Sequence, residues 1–200
     1  MNTSQSILVP FSSSSQTAHV YLGIGASLGD RENNLREGLH LLERDANIRV
    51  ERVSGLYRSP HMGLAPGDKT RLPFHLNAVA EISTTLKPIE LLDRLLEAEE
   101  ESGRVRSEKW GARTLDLDIV LWESLTLSSE RLMIPHPGLS RRAFVVVPLL
   151  ELNPRITVPN GARVSDFLGS LEADLRHLTR IRDVEWYTGQ KIEAKLSAAE

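Results

Sequence analysis

Strand, helix, strand, strand, helix, strand is the element order predicted for this chain of 200 residues, which puts it in the α+β class. The specific expectation is a ferredoxin-like βαββαβ core, an antiparallel sheet with both helices on one face, and additions at its C-terminal end. Three observations support it. Apolar residues alternate with period two at 20–24, 76–82 and 115–121, as half-buried strands require. They recur at spacings of three and four at 35–42 and 89–96, the stripe of an amphipathic helix. Pro88 opens the second helical stretch and Gly103 closes it, each where its backbone is tolerated.

Composition narrows the function. Forty per cent hydrophobic residues are enough for one ordinary core, whereas a net charge of −3 with 5% aromatics argues against a general nucleic-acid binder. The lack of cysteine rules out a disulfide framework and thiolate zinc sites. The longest apolar run, 144–150, is too short to span a bilayer and contains Pro148. Residues 1–17 hold four consecutive serines and no lysine or arginine, unlike a secretory or mitochondrial leader. They are expected to form a disordered tail of a cytoplasmic protein. The folded domain is expected at 18–187, with a polar tail at 188–200.

The first strand runs through Val20, Leu22 and Ile24 into the glycine-rich turn 23–30, where Asp30 is suited to cap the next helix. An ordinary strand–helix connection fits this turn better than a phosphate cradle. The helix, about 31–44, buries Leu35, Leu39 and Leu42. A second strand is expected over 48–57, then a loop over 61–73. The third strand sets Leu76, Ala78, Ala80 and Ile82 on one face and Asn77 on the other. The helix from Pro88 carries Ile89, Leu92, Leu95 and Leu96. A further step of four from Leu95 reaches Glu99, a carboxylate on the buried stripe that needs a partner; the arginines just past the helix are candidates. Beyond the fourth strand, 130–138 is rich in turns. A helix is expected to start near 140–144 and to kink or end at Pro148. A short helix at 164–171 and a short strand at 181–186 follow.

The fourth strand carries the chemistry. Alternation gives Asp116, Asp118 and Val120 one face and Leu115, Leu117, Ile119 and Leu121 the other. Residues two apart on a strand are roughly 6.5–7 Å apart, where two bare carboxylates repel by about 2 kcal/mol at an effective dielectric near 20. A cation is therefore expected between them, and hard oxygen ligands suit Mg²⁺. Alone, the pair fits an edge strand with two solvated acids balanced by Arg113 or Lys109. The cations upstream, Arg104, Arg106, Lys109 and Arg113, favour a metal-bound polyphosphate instead, since guanidinium forks match phosphate oxygens.

The stretch Lys109-Trp110-Gly111-Ala112-Arg113-Thr114-Leu115-Asp116-Leu117-Asp118 closely resembles the signature of the 6-hydroxymethyl-7,8-dihydropterin pyrophosphokinase family. The resemblance continues through 25–30, Tyr57-Arg58-Ser59-Pro60, Leu76-Asn77-Ala78, Gly103-Arg104-Val105-Arg106 and 131–137, so it covers roughly 18–160. It implies an enzyme that transfers the β,γ-diphosphate of ATP to the pterin's hydroxymethyl oxygen and releases AMP, a step of folate synthesis. Asp116 and Asp118 are implied to hold two Mg²⁺ ions, one bridging the α- and β-phosphates and the other the β- and γ-phosphates and the attacking hydroxyl. Arg104 and Arg113 join them as catalytic residues. The same resemblance assigns Arg104, Arg106, Lys109, Arg113, Arg131 and Arg142 to the nucleotide, with Glu99, Trp110, Ile119 and His136. For the pterin it implies Ser59, Pro60, Met62, His75, Asn77, Trp110 and Phe144. Either Arg141 or Arg142 fits the basic position next to the aromatic.

The sequence also departs from the family pattern. His75 stands where a stacking tyrosine or phenylalanine is usual, Ser27 replaces an asparagine, Leu96 a glutamine, Met133 a threonine, and Pro137 often a tyrosine. The basic loop is one residue short between Arg106 and Lys109, and the 64–74 loop is longer than usual. The implied mechanism is in-line displacement at the β-phosphorus, with the 61–73 and 102–109 loops excluding water. Small-molecule substrates and a monomer are expected. Rival readings are a Mg-dependent nucleotidyltransferase, a metal-dependent glycosyltransferase, a pyrophosphokinase for a related pterin alcohol, and a ferredoxin-like nucleotide-binding module with a degenerate site.

Overall fold

The structure, a computed structural model, describes residues 17–60, 74–103 and 113–188. Strands β1 (Ala18–Ala26), β2 (Ile48–Val53), β3 (Leu56–Ser59), β4 (His75–Thr84) and β5 (Asp116–Trp122) alternate with helices α1 (Arg31–Leu42) and α2 (Pro88–Glu101). A hairpin of β6 (Leu127–Ser128) and β7 (Met133–Ile134) follows. Then come a 3-10 turn at Leu139–Arg141, helix α3 (Ala143–Leu152), a 3-10 segment Val164–Ser170, helix α4 (Glu172–Leu175) and strand β8 (Thr179–Arg182). The main sheet has the order β5-β1-β4-β3-β8, with β2 also on β4, and every pairing is antiparallel. The α+β class and antiparallel sheet agree with the sequence reading.

Helices α1 and α2 cover one face. Leu35, Leu39 and Leu42 of α1 and Leu91, Leu95 and Ala98 of α2 pack on Leu22, Ile24, Ala80, Ile82, Leu117 and Ile119. Each such leucine contributes about 2 kcal/mol by leaving water. Asp30 caps α1, its carboxylate accepting from the N–H of Asn33 at 3.2 Å. The stripe of α2 is rotated from expectation: Leu91, Leu95 and Ala98 form its centre, and Ile89 and Leu92 only flank it.

The opposite face differs more. A third helix, α3, packs on it, burying Tyr21, Val79, Val120 and Leu121 against Val145, Val146, Leu149 and Leu152. Leu121 joins this side because β5 carries a bulge opposite the Tyr21/Leu22 step. The extra residue reverses parity, so Leu121 turns to α3 and Trp122 to the α1/α2 core. Helix α3 begins at Ala143, within the expected start, but runs unbroken through Pro148 to Leu152. Burial of Pro148 in the apolar layer offsets the one backbone hydrogen bond it cannot make.

The strand expected over 48–57 is two strands broken at Ser54 and Gly55, where the Ser54 hydroxyl accepts from the N–H of Val79 and donates to the carbonyl of Gly55. The strand expected at 181–186 lies at Thr179–Arg182, and Trp186 is buried beyond it. Among the described residues no helix is long and apolar enough to cross a membrane.

Candidate active site

The pleat brings the site together. On the face shared with α3, β1 presents Tyr21, then Gly23 and Gly25, while β5 presents Asp118 and Asp116. Gly25 lies opposite both Asn77 of β4 and Asp116, and Gly23 lies opposite Asp118. A methyl group at Gly23 would sit 3.1 Å from Val120 Cγ2, and one at Gly25 would sit 3.4 Å from Asn77 Oδ1. The glycines therefore keep the floor flat and let the flanking side chains lean over it. The result is a cavity of about 240 Å³, whose walls include Ser59, Pro60, His75, Asn77, Arg113, Asp116, Asp118, His136, Arg142 and Phe144.

Each charged wall residue has an assigned place. Arg113 pairs with Asp116, which is how the edge-strand alternative would balance that acid. Its backbone is pinned to the β1–α1 turn: the Arg113 N–H donates to Ser27 Oγ at 2.9 Å, and its carbonyl accepts from the N–H groups of Ser27 and Leu28. Arg142 approaches Asp118 at 3.6 Å and His136 approaches it at 3.9 Å. The Asp118 side chain keeps 43% exposure at the cavity floor. Crowding by protein, and next the charge of Asp116, push its carboxyl above the usual carboxylate range, against the pull of His136, Arg142 and Arg113.

His136 Nδ1 accepts from the N–H of Gly138 at 2.9 Å. The neutral ring therefore carries its proton on Nε2, the nitrogen facing Asp118. Burial lowers its pKa below the usual value, with Arg142 adding to the shift and Asp118 and Asp116 opposing it. His136 thus presents an Nε2–H donor to the cavity.

On the opposite wall Asn77 donates through Nδ2 to Ser59 Oγ at 2.9 Å, both residues buried. Phe144 has the Arg142 guanidinium 5.9 Å from its ring centre. Arg142, not the exposed Arg141, faces the cavity, because the 3-10 turn ends at Arg141 and Arg142 is extended.

Three residues assigned to the nucleotide lie elsewhere. Ile119 points into the α1/α2 core. Glu99 is buried on that side too, and its Oε1 accepts from the N–H of Leu117 at 2.8 Å. Arg131 pairs with Asp93 of α2 at the surface. None of the three lines the cavity. Met62, Arg104, Arg106, Lys109 and Trp110 lie outside the described residues. Sequence reasoning missed Gly23, Gly25 and Ser27 as cavity residues. The signal was present, for Gly23 and Gly25 hold the same parity as Tyr21 on an uninterrupted strand.

Residues 21–154 match the family described as 7,8-dihydro-6-hydroxymethylpterin-pyrophosphokinase. The 2-amino-4-hydroxy-6-hydroxymethyldihydropteridine pyrophosphokinase of Haemophilus influenzae is 38% identical over 148 residues, 74% of this chain and 89% of that protein. The Pseudomonas aeruginosa enzyme of the same name is 39% identical over 151 residues, 76% of this chain and 90% of that protein. Among solved structures, wild-type Plasmodium falciparum HPPK-DHPS with pterin and p-hydroxybenzoate superposes with a TM-score of 0.62 at 13% identity, over 83% of this chain and 45% of that one. That last likeness concerns the fold alone. The relatives, matched over nearly their whole length, decide the rest: this chain belongs to the 7,8-dihydro-6-hydroxymethylpterin-pyrophosphokinase family, ATP-dependent enzymes of folate biosynthesis.

Proposed function

We propose that the cavity is where this enzyme moves the diphosphate. ATP's phosphates would lie over Asp116 and Asp118, and the pterin alcohol toward Ser59, Pro60, Asn77 and Phe144. The observation that carries this reading is the row of two carboxylates beside side-chain-free glycines, ringed by Arg113, His136 and Arg142. The donor set fits magnesium, which takes one or two carboxylates and completes its shell with water and phosphate oxygens. Two Mg²⁺ ions held by Asp116 and Asp118 would neutralise phosphate charge and lower the pKa of the attacking hydroxyl.

The chain's own residues do the rest. Arg113 and Arg142 exchange their carboxylate partners for phosphate oxygens, which a planar guanidinium matches with paired hydrogen bonds. His136 donates from Nε2 to the same anion. Because Asn77 spends an Nδ2–H on Ser59, its Oδ1 is directed toward an N–H of the pterin edge. Phe144 offers a ring face for stacking. Of Glu99, Ile119 and Arg131, which the resemblance assigns to the nucleotide, Arg131 is the one at the surface, where a base passing the outer edge of β5 would meet it. The resemblance assigns Arg104, Arg106, Lys109 and Trp110 to the same nucleotide, and Met62 to the pterin.

The strand order supports reading the core as ferredoxin-like, its second strand split into β2 and β3. Burial of Trp186 supports a catalytic unit running over 18–187. Dependence on ATP supports a cytoplasmic setting. His75 in the wall favours one second reading, an acceptor that is a relative of the usual dihydropterin.

Phosphorus NMR of the protein with Mg-ATP and 6-hydroxymethyl-7,8-dihydropterin tests the proposal. AMP and a pterin diphosphate in equal amounts are expected. Turnover only with another pterin alcohol would establish the second reading, and intact ATP with every acceptor would defeat both.

A further inference from the structure

The family match ends at residue 154, yet the chain beyond it returns to the sheet. Strand β8 pairs with β3, the strand that leads into Ser59 and Pro60. The contact is close: a methyl group at Gly55 would lie 2.6 Å from both Arg180 Nε and the Arg182 carbonyl. Glu151 of α3 gathers three donors around it, accepting from Gly55 N–H at 3.0 Å, Tyr57 Oη at 2.8 Å and Arg180 Nη2 at 2.7 Å. Trp186 Nε1 donates to the Ser54 carbonyl at 2.8 Å, and Arg36 holds the Trp186 carbonyl in turn. Tyr57 lies directly opposite Asn77 in the β3–β4 register, and Ser59 opposite His75.

We propose that this C-terminal segment is a positioning element for the pterin side of the cavity: through Arg180, Glu151 and Tyr57 it fixes β3, and so holds Ser59 against Asn77. The inference rests on the reading of Ser59 and Asn77 as pterin contacts. It separates two tasks. The cations and acids on β5 and around α3 handle phosphate, and the bracket from the C-terminal chain sets the acceptor's berth. Burial of the Tyr57 hydroxyl, and next its bond to Glu151, push that hydroxyl's pKa well above its usual value, so the bracket keeps its proton across the working range.

Steady-state kinetics of the full chain carrying Arg180→Gln, Tyr57→Phe or Asn77→Ala test this, with melting temperatures recorded alongside. Arg180→Gln and Tyr57→Phe are expected to raise KM for the pterin alcohol about three- to tenfold, the weight of one hydrogen bond. KM for ATP should stay fixed and kcat should stay within about twofold. Arg180→Lys should recover most of the loss, because it still donates to Glu151. If Asn77→Ala raises the pterin KM but Arg180→Gln and Tyr57→Phe only lower the melting temperature, the positioning role is overturned and the pterin reading stands. If Asn77→Ala leaves the pterin KM unchanged, both fall together.

Discussion

Toward one end of the sheet Tyr21, Val79, Val120 and Leu121 are sealed beneath α3, and one alternation along the same strands Gly23, Gly25, Asn77, Asp116 and Asp118 face the cavity. Strands, face and pleat are shared; only side-chain chemistry changes. In the covered half, large apolar groups meet a helix and remove each other from water. In the open half, glycine gives up its side chain and two acids crowd each other, a choice that works against stability and for ligand charge. The comparison predicts that substitutions in the two halves produce separable losses, of fold in one and of chemistry in the other.

The largest effect should come from Asp118→Ala, which is expected to reduce kcat by at least about 100-fold, the scale of losing a principal charge-stabilising group. The far-ultraviolet circular dichroism spectrum should be unchanged, and a near-normal rate would break the comparison. In the covered half, Leu149→Ala should lower unfolding free energy by about 2–5 kcal/mol, measured with urea, while both KM values hold. Gly25→Val sharpens the boundary, because it adds bulk beside Asn77 and Asp116 without disturbing α3. An increase of about tenfold in KM, about 1.4 kcal/mol of lost binding, is expected at an unchanged melting temperature.

The smallest effect concerns pH. The folded-state carboxyl of Asp118 titrates above its unfolded value, so the native state binds the proton first. Its destabilising contribution is absent below the unfolded pKa and grows as pH rises through the folded one. Asp118→Asn should therefore raise the melting temperature of the ligand-free protein slightly at neutral pH, and calorimetry should show the advantage vanish in acid. A lower melting temperature at neutral pH would mean that the pairs with Arg142 and His136 outweigh burial and repulsion.

The open half was the more legible of the two. Asp116 and Asp118 follow from a local rule, strand alternation, which needs no partner strand to be read. Leu121 was misread because its bulge depends on register with β1, a relation between strands. Gly23 and Gly25 were read as a turn since glycine is a poor strand former, although pairing on both sides carries the strand through them. The covering of Tyr21 and Val79 by α3, and the choice of Arg142 over Arg141, are tertiary outcomes with no local signature. Pro148 warned of a break that burial of the whole helix overrode.

The central claim, that Asp116 and Asp118 meet nucleotide through a divalent cation, is tested most directly by calorimetric titration of a non-hydrolysable ATP analogue with and without Mg²⁺. Wild-type protein should bind the analogue far more tightly when Mg²⁺ is present, and Asp116→Asn and Asp118→Asn should each lose that dependence while remaining folded. Variants that keep the full Mg²⁺ dependence would contradict the account and place the cation elsewhere.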